Sequence, residues 1–555
     1  MEKTWLKHYP SGVPAEINPD QYQSIIELFL ESCERYKHQY AFYNFGVYLT
    51  YAELEVHSRA FAAYLQQVLQ MKKGDRIAIM LPNVLQYPVA LFGALRAGLV
   101  VVNVNPLYTV PELTHQLRDS GAETILVLEN FAKTVEKSLA NTAIKHVMVT
   151  RIGDYFPIWK ALAVHWVLKY LRKKIPQWNI PGAHIFKQAI QQGLKLTFTP
   201  VELCNQDLAF LQYTGGTTGI SKGAMLTHRN MLANIEQGYA WFRLKLSLGK
   251  DIIITALPLY HIFSLMVNCL LYTTKIGGLN VLITNPRDVP FLIKEMSKFK
   301  FTGVTGVNTL FNALLKHPKF AALDFKHLAL TVGGGMAVQR VVAEEWQQVT
   351  GCVLNEGYGL TECSPCVAVN PSDAQSFSGN IGFPLPSTEV CLLDDQDQEV
   401  PIGKSGELAV KGPQVMKGYW QQAEETQHVF DSAGWLLTGD IAVMDQEGRL
   451  RILERKKDMI LVSGFNVYPN EVEDIIAAMP GVQEVAVVGV PDEASGEAVK
   501  AFIVKNNEQL RAEDVIKFCR ASLTPYKVPK YIQFSQELPK TNVGKILRRA
   551  LKETA

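Results

Sequence analysis

The chain has 555 residues, beyond the size at which one hydrophobic core keeps growing, so two or more domains are expected. Hydrophobic residues make up 48% and charged residues 19%, which excludes the low-hydropathy, high-charge signature of disorder. Lys plus Arg number 55 against 53 Asp plus Glu, a net charge of +2, so no global field argues for nucleic acid as a partner.

In chain order, Met1 to Pro14 carries charges and lacks the apolar core of a secretory signal, which leads us to expect a cytoplasmic protein. The run GDRIAIMLPNVLQYPVALFGALRAGLVVVNVNP, Gly74 to Pro106, predicts strand, loop, helix and strand, the alternation that builds a parallel sheet. Short β-branched strands are expected at Glu123 to Leu128, Ile252 to Leu257 and Asn280 to Ile283, with a helical stretch at Val289 to Phe299. The most apolar runs, Tyr87 to Val102 and His261 to Ile283, are broken by Arg96 and by Asn268 and Lys275, so neither reads as a membrane span. Between them, Trp159 to Lys174 (WKALAVHWVLKYLRKK) has no acid and several bases at helical length. Two readings of it stay open: a helix lying in the plane of an anionic membrane on its inner face, and a core-facing helix with a basic outer side. Cys363 and Cys366 form a lone C-x-x-C with no second pair to complete a zinc site. Beyond the strand-like Arg449 to Arg455 the elements shorten and change order. This divides the chain into 1–456 and 457–555, the second with helices at Asn470 to Ala478 and Ala512 to Leu523 and strands at Glu484 to Val490 and Val499 to Val504. The expected fold is a large α/β body with parallel sheets plus a small α+β C-terminal domain.

Three stretches carry chemistry. Tyr213 to Gly223, YTGGTTGISKG, lies between an apolar strand and a helix from His228. Gly215, Gly216 and Gly219 let backbone N–H groups approach an anion, Thr214, Thr217 and Thr218 add hydroxyls, and Lys222 adds a point charge. Ser221 rather than Gly precedes the lysine, so this is not the Walker pattern; the bland alternative is a flexible turn. Asn355 to Glu362, NEGYGLTE, offers Tyr358 for stacking on a purine, room at Gly357 and Gly359, and Glu362 as a hard oxygen ligand for Mg²⁺. The triple glycine Gly333 to Gly335 is expected to open a helix before it. Gly434 to Asp440 ends in a carboxylate suited to ribose hydroxyls, with Arg455 a strand's length further on. Each acid taken singly also reads as a solvated turn carboxylate.

In this order, and with PLYHI at Pro258 to Ile262, VSGFNVYPNEVE at Val462 to Glu473 and PKTNVGK at Pro539 to Lys545, the chain resembles the adenylate-forming superfamily of acyl-CoA synthetases, peptide-synthetase adenylation domains and firefly luciferase. The text from Ser378 to Tyr419 and the segments RKKDMILVSGFNVYPNEVED and LPKTNVGKILRR look most like bacterial long-chain fatty-acid CoA ligases. The resemblance implies ATP-dependent activation of a fatty acid as acyl-adenylate and its transfer to coenzyme A, releasing AMP and pyrophosphate. It implies phosphate contacts from Tyr213 and the loop to Lys222, Mg²⁺ on Thr214 and Glu362, and nucleotide contacts from Gly334, Glu356, Gly357, Tyr358, Gly359, Thr361, Asp440 and Arg455. It further implies Lys545 as the catalytic lysine of adenylation, His261 beside the acyl carboxylate, Lys457 as the hinge of a mobile C-terminal domain, and Gly464 beside the pantetheine. Transfer to a carrier protein and a binding protein without activity remain as alternatives, and assembly as a homodimer stays open.

Overall fold

The computed structural model describes residues 3–214, 221–493, 495–541 and 544–554. Among these residues four sheets form. A seven-stranded sheet runs in the order His184–Ile185, His146–Thr150, Thr124–Leu128, Arg76–Met80, Val100–Asn103, Leu208–Tyr213, Gly223–Thr227. All its pairs are parallel except the last, an antiparallel hairpin that brings Tyr213 opposite Gly223. The predicted strand–helix–strand unit is there: Gln86–Arg96 connects Arg76–Met80 to Val100–Asn103 and is buried along its whole length, as the helix between two packed layers must be.

The second sheet has nine strands, parallel in its middle through Leu354–Gly359, Leu330–Gly334, Gly303–Gly306, Ile252–Thr255, Leu279–Leu282 and Tyr40–Asn44, with antiparallel strands at both ends. A small antiparallel sheet follows, Glu389–Leu393, Ser405–Lys411, Leu436–Met444 and Leu450–Arg455. The sheet of the C-terminal unit starts at Ile460 and pairs Val482–Asp492 with Gly496–Lys505, covered by the helices Pro469–Ala477 and Ala512–Arg520. Its core residues, among them Ile460, Val472, Val485, Val499 and Val515, form clusters of their own.

One expectation is corrected. Gly333 and Gly334 end a strand rather than opening a helix, and the next helix begins at Arg340. The strand needs glycine there because a Cβ on Gly333 would come within 2.8 Å of Leu354 and Val338. That strand rests on Trp346, which is fully buried, donates from Nε1 to Thr331 Oγ1 at 3.2 Å and packs edge-on to Phe311. Trp346→Ala should lower the free energy of unfolding by about 3–5 kcal/mol, measured as a shift of the urea midpoint, and should loosen the strand that ends at Gly334.

Candidate active site

The carboxyl ends of the central strands of the nine-stranded sheet, the small antiparallel sheet and the tip of the C-terminal unit meet at one place. The antiparallel register sets Asp440 opposite Arg455, and Arg455 Nε lies 2.9 Å from Asp440 Oδ1. The other carboxylate oxygen accepts from the Tyr358 hydroxyl at 2.5 Å. Asp440 is 2% exposed. Burial pushes its carboxyl up and the Arg455 guanidinium pulls it back, with help from Tyr358, Lys457 and Lys545, so the charge is held by partners rather than by water.

Lys545 arrives from the C-terminal unit. Gly335 has φ +79°, and a Cβ there would stand 3.1 Å from Lys545 Cε, so the side chain runs directly over this glycine. The loop behind the lysine is seated on the body: Thr309 Oγ1 donates to the Gly544 carbonyl at 3.0 Å, and Lys545 N–H donates to Thr541 Oγ1 at 3.1 Å. Burial lowers the Lys545 ammonium to about 8, Arg455 lowering it too and Asp440 opposing. His261 is pushed down to about 3 by burial and by Lys545. It is therefore neutral at working pH, and its Nδ1 accepts from Phe263 N–H at 3.4 Å. A neutral imidazole there fits a boundary group and not a proton carrier.

On the phosphate side, Thr214 N–H donates to the Lys222 carbonyl at 3.0 Å, and Ser221 Oγ donates to the Thr214 carbonyl at 2.6 Å, which ties the two rims of the loop together. Gly215, Gly216, Thr217, Thr218 and Gly219 lie outside the described residues. Lys222 pairs with Glu425, and its ammonium lies 5.1 Å from the centre of the Tyr419 ring. Tyr419 in turn donates to Glu362 Oε1 at 2.6 Å. Glu362 and Thr361 share the short 3-10 turn after Leu354–Gly359.

Not every residue expected here presents its side chain to the site. Tyr213 is buried and its hydroxyl donates to Asp119 at 2.5 Å. Glu356 is buried and accepts from Val338 N–H at 2.9 Å, so it holds the segment between Gly335 and Arg340. Gly359 is a packing glycine: a Cβ would meet the Pro365 carbonyl oxygen at 2.1 Å. Gly357 pairs with Gly334 across the strand ends, and a Cβ on Gly334 would come within 3.0 Å of the Gly357 carbonyl. Lys457 follows Arg455 in the turn toward the C-terminal unit, where burial lowers its ammonium. Gly464, with φ +83° and nothing within 4 Å of a Cβ, sits in an exposed turn apart from the cluster. Tyr419 and Glu425 were not singled out from the sequence, and Gly335 was read only as part of a helix-opening triple glycine and not as the floor beneath Lys545. Their partners lie far along the chain, so no local spacing marks them.

Glu356 generates a pH test. Burial raises its carboxyl to about 8 against the Val338 hydrogen bond, so its contribution to stability is complete below the unfolded value near 4.5 and is lost as pH rises through 8. Glu356→Gln keeps the acceptor and cannot ionise. Its melting temperature relative to the wild type should therefore rise between pH 4.5 and 8, and a difference flat in pH would contradict this assignment.

Residues 29–420 match the AMP-binding enzyme family and residues 471–545 the AMP-binding enzyme C-terminal domain. Over 555 residues the chain is 59% identical to a long-chain-fatty-acid–CoA ligase of Escherichia coli O6:H1, covering 100% of this chain and 99% of the relative. A long-chain-fatty-acid–CoA ligase of Haemophilus influenzae is 49% identical, with 100% and 98% covered. Among solved structures, ATP-bound MatB from Rhodopseudomonas palustris matches with a TM-score of 0.78 at 28% identity, over 95% of this chain and 98% of that one.

Proposed function

The chain belongs to the AMP-binding enzyme family, and from that premise we propose that it joins a long-chain fatty acid to coenzyme A through an acyl-adenylate. The observation that carries this reading is the full-length 59% identity to a ligase of that activity. The arrangement of Lys545 over Gly335, beside the Asp440–Arg455–Tyr358 cluster, supports it.

A carboxylate is a poor electrophile because an oxide would have to leave. A carboxylate oxygen of the fatty acid attacks the α-phosphorus of ATP, the bond to the β-phosphate oxygen breaks, and pyrophosphate leaves with the electron pair. The coenzyme A sulfur then attacks the acyl carbon and AMP departs. In the first step negative charge gathers between carboxylate and α-phosphate, and Lys545 supplies the opposing charge. Asp440 and Arg455 take the ribose hydroxyls, Tyr358 and Gly334 border the adenine, and Lys222 and Thr214 receive the outer phosphates. Glu362 and Thr214 are hard oxygen donors of the kind that hold Mg²⁺ together with substrate phosphates, and Tyr419 already orients the Glu362 carboxylate. Bound there, Mg²⁺ would neutralise charge on the departing pyrophosphate. For the second step the C-terminal unit turns about Lys457, withdrawing Lys545 and bringing the Ser463–Phe465 turn toward the thiol.

Lys545→Ala should slow adenylation roughly 10²- to 10³-fold, measured as pyrophosphate release with palmitate, while thioester formation from supplied acyl-adenylate largely survives. Equal loss of both half-reactions would remove the assigned role. Pyrophosphate release without thioester would point to another acceptor, and no release with any acid to a binding protein.

The lowered Lys545 value also sets a sign. The ammonium form is the active one, so kcat/KM for adenylation should fall as pH rises through about 8. The limb for kcat should lie higher, because bound phosphates favour the charged form. In Lys545→Arg the limb should disappear, which a pH series from 6.5 to 10 would read.

A further inference from the structure

A buried polar circuit joins the two large sheets and ends beside His261. Gln212 stands in the strand Leu208–Tyr213, just before Tyr213 and Thr214, which lead into the phosphate loop. Its Oε1 accepts from Asn103 Nδ2 at 3.0 Å, and its Nε2 donates to the Tyr260 carbonyl at 2.8 Å. Asn103 Oδ1 lies 2.7 Å from the Tyr87 hydroxyl, which stands 2.9 Å from the Leu259 carbonyl. The circuit thus closes through the main chain of Leu259 and Tyr260, directly before His261. Gln212, Asn103 and Tyr87 are all buried.

Asn83 fastens the same segment further back. Its Nδ2 donates to the Thr255 and Leu257 carbonyls, both at 2.9 Å, and its Oδ1 accepts from Leu259 N–H at 2.8 Å. The strand Ile252–Thr255 of the nine-stranded sheet stops at Thr255. Where its ladder ends, side chains rooted in the seven-stranded layer take over and hold the main chain as far as Tyr260.

Burying three amides and a phenol is unfavourable unless each is bonded. Apolar side chains would close the two layers without that demand. What they would not do is fix a position, because the hydrophobic effect has no direction whereas a satisfied polar network specifies one geometry. The geometry fixed here is that of Tyr260 and His261 relative to Thr214. Those residues come from different sheets, and in the ligase reading they border the acyl carboxylate and the phosphates. Attack requires the reacting atoms about 3–3.5 Å apart, and a misplacement of about 1 Å can cost roughly 10²-fold in rate.

We propose that Gln212 is a positioning residue for adenylation, which sets the acyl-boundary segment against the phosphate loop so that carboxylate and α-phosphate meet in register. Both ends of its amide are occupied within the fold, by Asn103 and by Tyr260, so it acts through these neighbours. Its loss is felt where two substrates must be brought together, and not in the binding of either alone. Once they are joined as one acyl-adenylate, the circuit has nothing left to align. This inference rests on the ligase reading.

The test uses the full chain and measures both half-reactions on one preparation: pyrophosphate release with palmitate, and thioester formed from supplied acyl-adenylate. Gln212→Met keeps the length of the side chain and removes both hydrogen bonds. It should lower kcat for adenylation roughly 10- to 100-fold, while KM for ATP and for palmitate changes less than about threefold. Thioester formation from supplied acyl-adenylate should stay at the wild-type rate, which also shows that the variant is folded. Tyr87→Phe, a smaller cut at the far end of the circuit, should show the same split with a fall of at least about threefold, and it decides the matter if Gln212→Met does not fold. Gln116 Nε2 donates to the Asn103 carbonyl at 2.8 Å, off the path to Tyr260, so Gln116→Met should keep wild-type adenylation. Unchanged adenylation in Gln212→Met, a raised KM without a fall in kcat, equal loss of both half-reactions, or the same loss in Gln116→Met would overturn the proposal and leave the circuit as a stability element. A wild-type chain that releases no pyrophosphate with any acid would instead remove the ligase reading, and the proposal with it.

Discussion

A single buried carboxylate organises the site. Asp440 is charged inside the fold only because both its oxygens are occupied, one by Tyr358 and one by Arg455, and an unpaired charge there would cost several kcal/mol. That requirement reaches outward. It demands the antiparallel register of Leu436–Met444 with Leu450–Arg455, which sets acid opposite base, and it demands that Leu354–Gly359 end where Tyr358 can reach across. Lys545 enters a field already shaped by this pair, which is why its own charge is both tolerated and weakened.

How much of this was legible in the sequence depends on distance along the chain. The parallel units, the helix from His228 and the strands and helices of the C-terminal unit were readable because apolar periodicity is local. The segments around Lys222, Glu362 and Asp440 were readable as candidate chemistry because glycines, hydroxyls and acids stand close together. Tyr419 was not, since its partner Glu362 lies 57 residues away, nor was Glu425, 203 residues from Lys222. Proximity of that kind is made by folding and leaves no local pattern. Glu356 and Gly359 show the converse. They stand inside a chemical motif, yet one holds a backbone N–H and the other makes room for a carbonyl, because a strand end near a site must also be built.

The seam between the two units has its own character. Among the described residues each unit keeps separate apolar clusters, and the named contacts across the seam are polar. Thr309 bonds the Gly544 carbonyl, Lys316 Nζ and Asn312 Nδ2 reach the Gln483 carbonyl at 3.4 Å, and Arg548 pairs with Glu454 at 2.7 Å. Arg548 also holds Glu473 within its own unit at 2.9 Å, so it keeps a partner when it releases Glu454. Polar bonds of this sort exchange for water at small net cost, whereas an apolar seam would have to expose its area. A seam so built suits a unit that changes position between two half-reactions.

The depressed ammonium of Lys545 has a bearing on timing. In an empty site near neutral pH, seating that lysine means stripping water from a cation with Arg455 close by and only Asp440 to compensate. Phosphates entering the site would supply the missing negative charge, so closure and nucleotide arrival become linked through one proton-bearing group. An anion in the site would therefore favour the seated lysine over a withdrawn one.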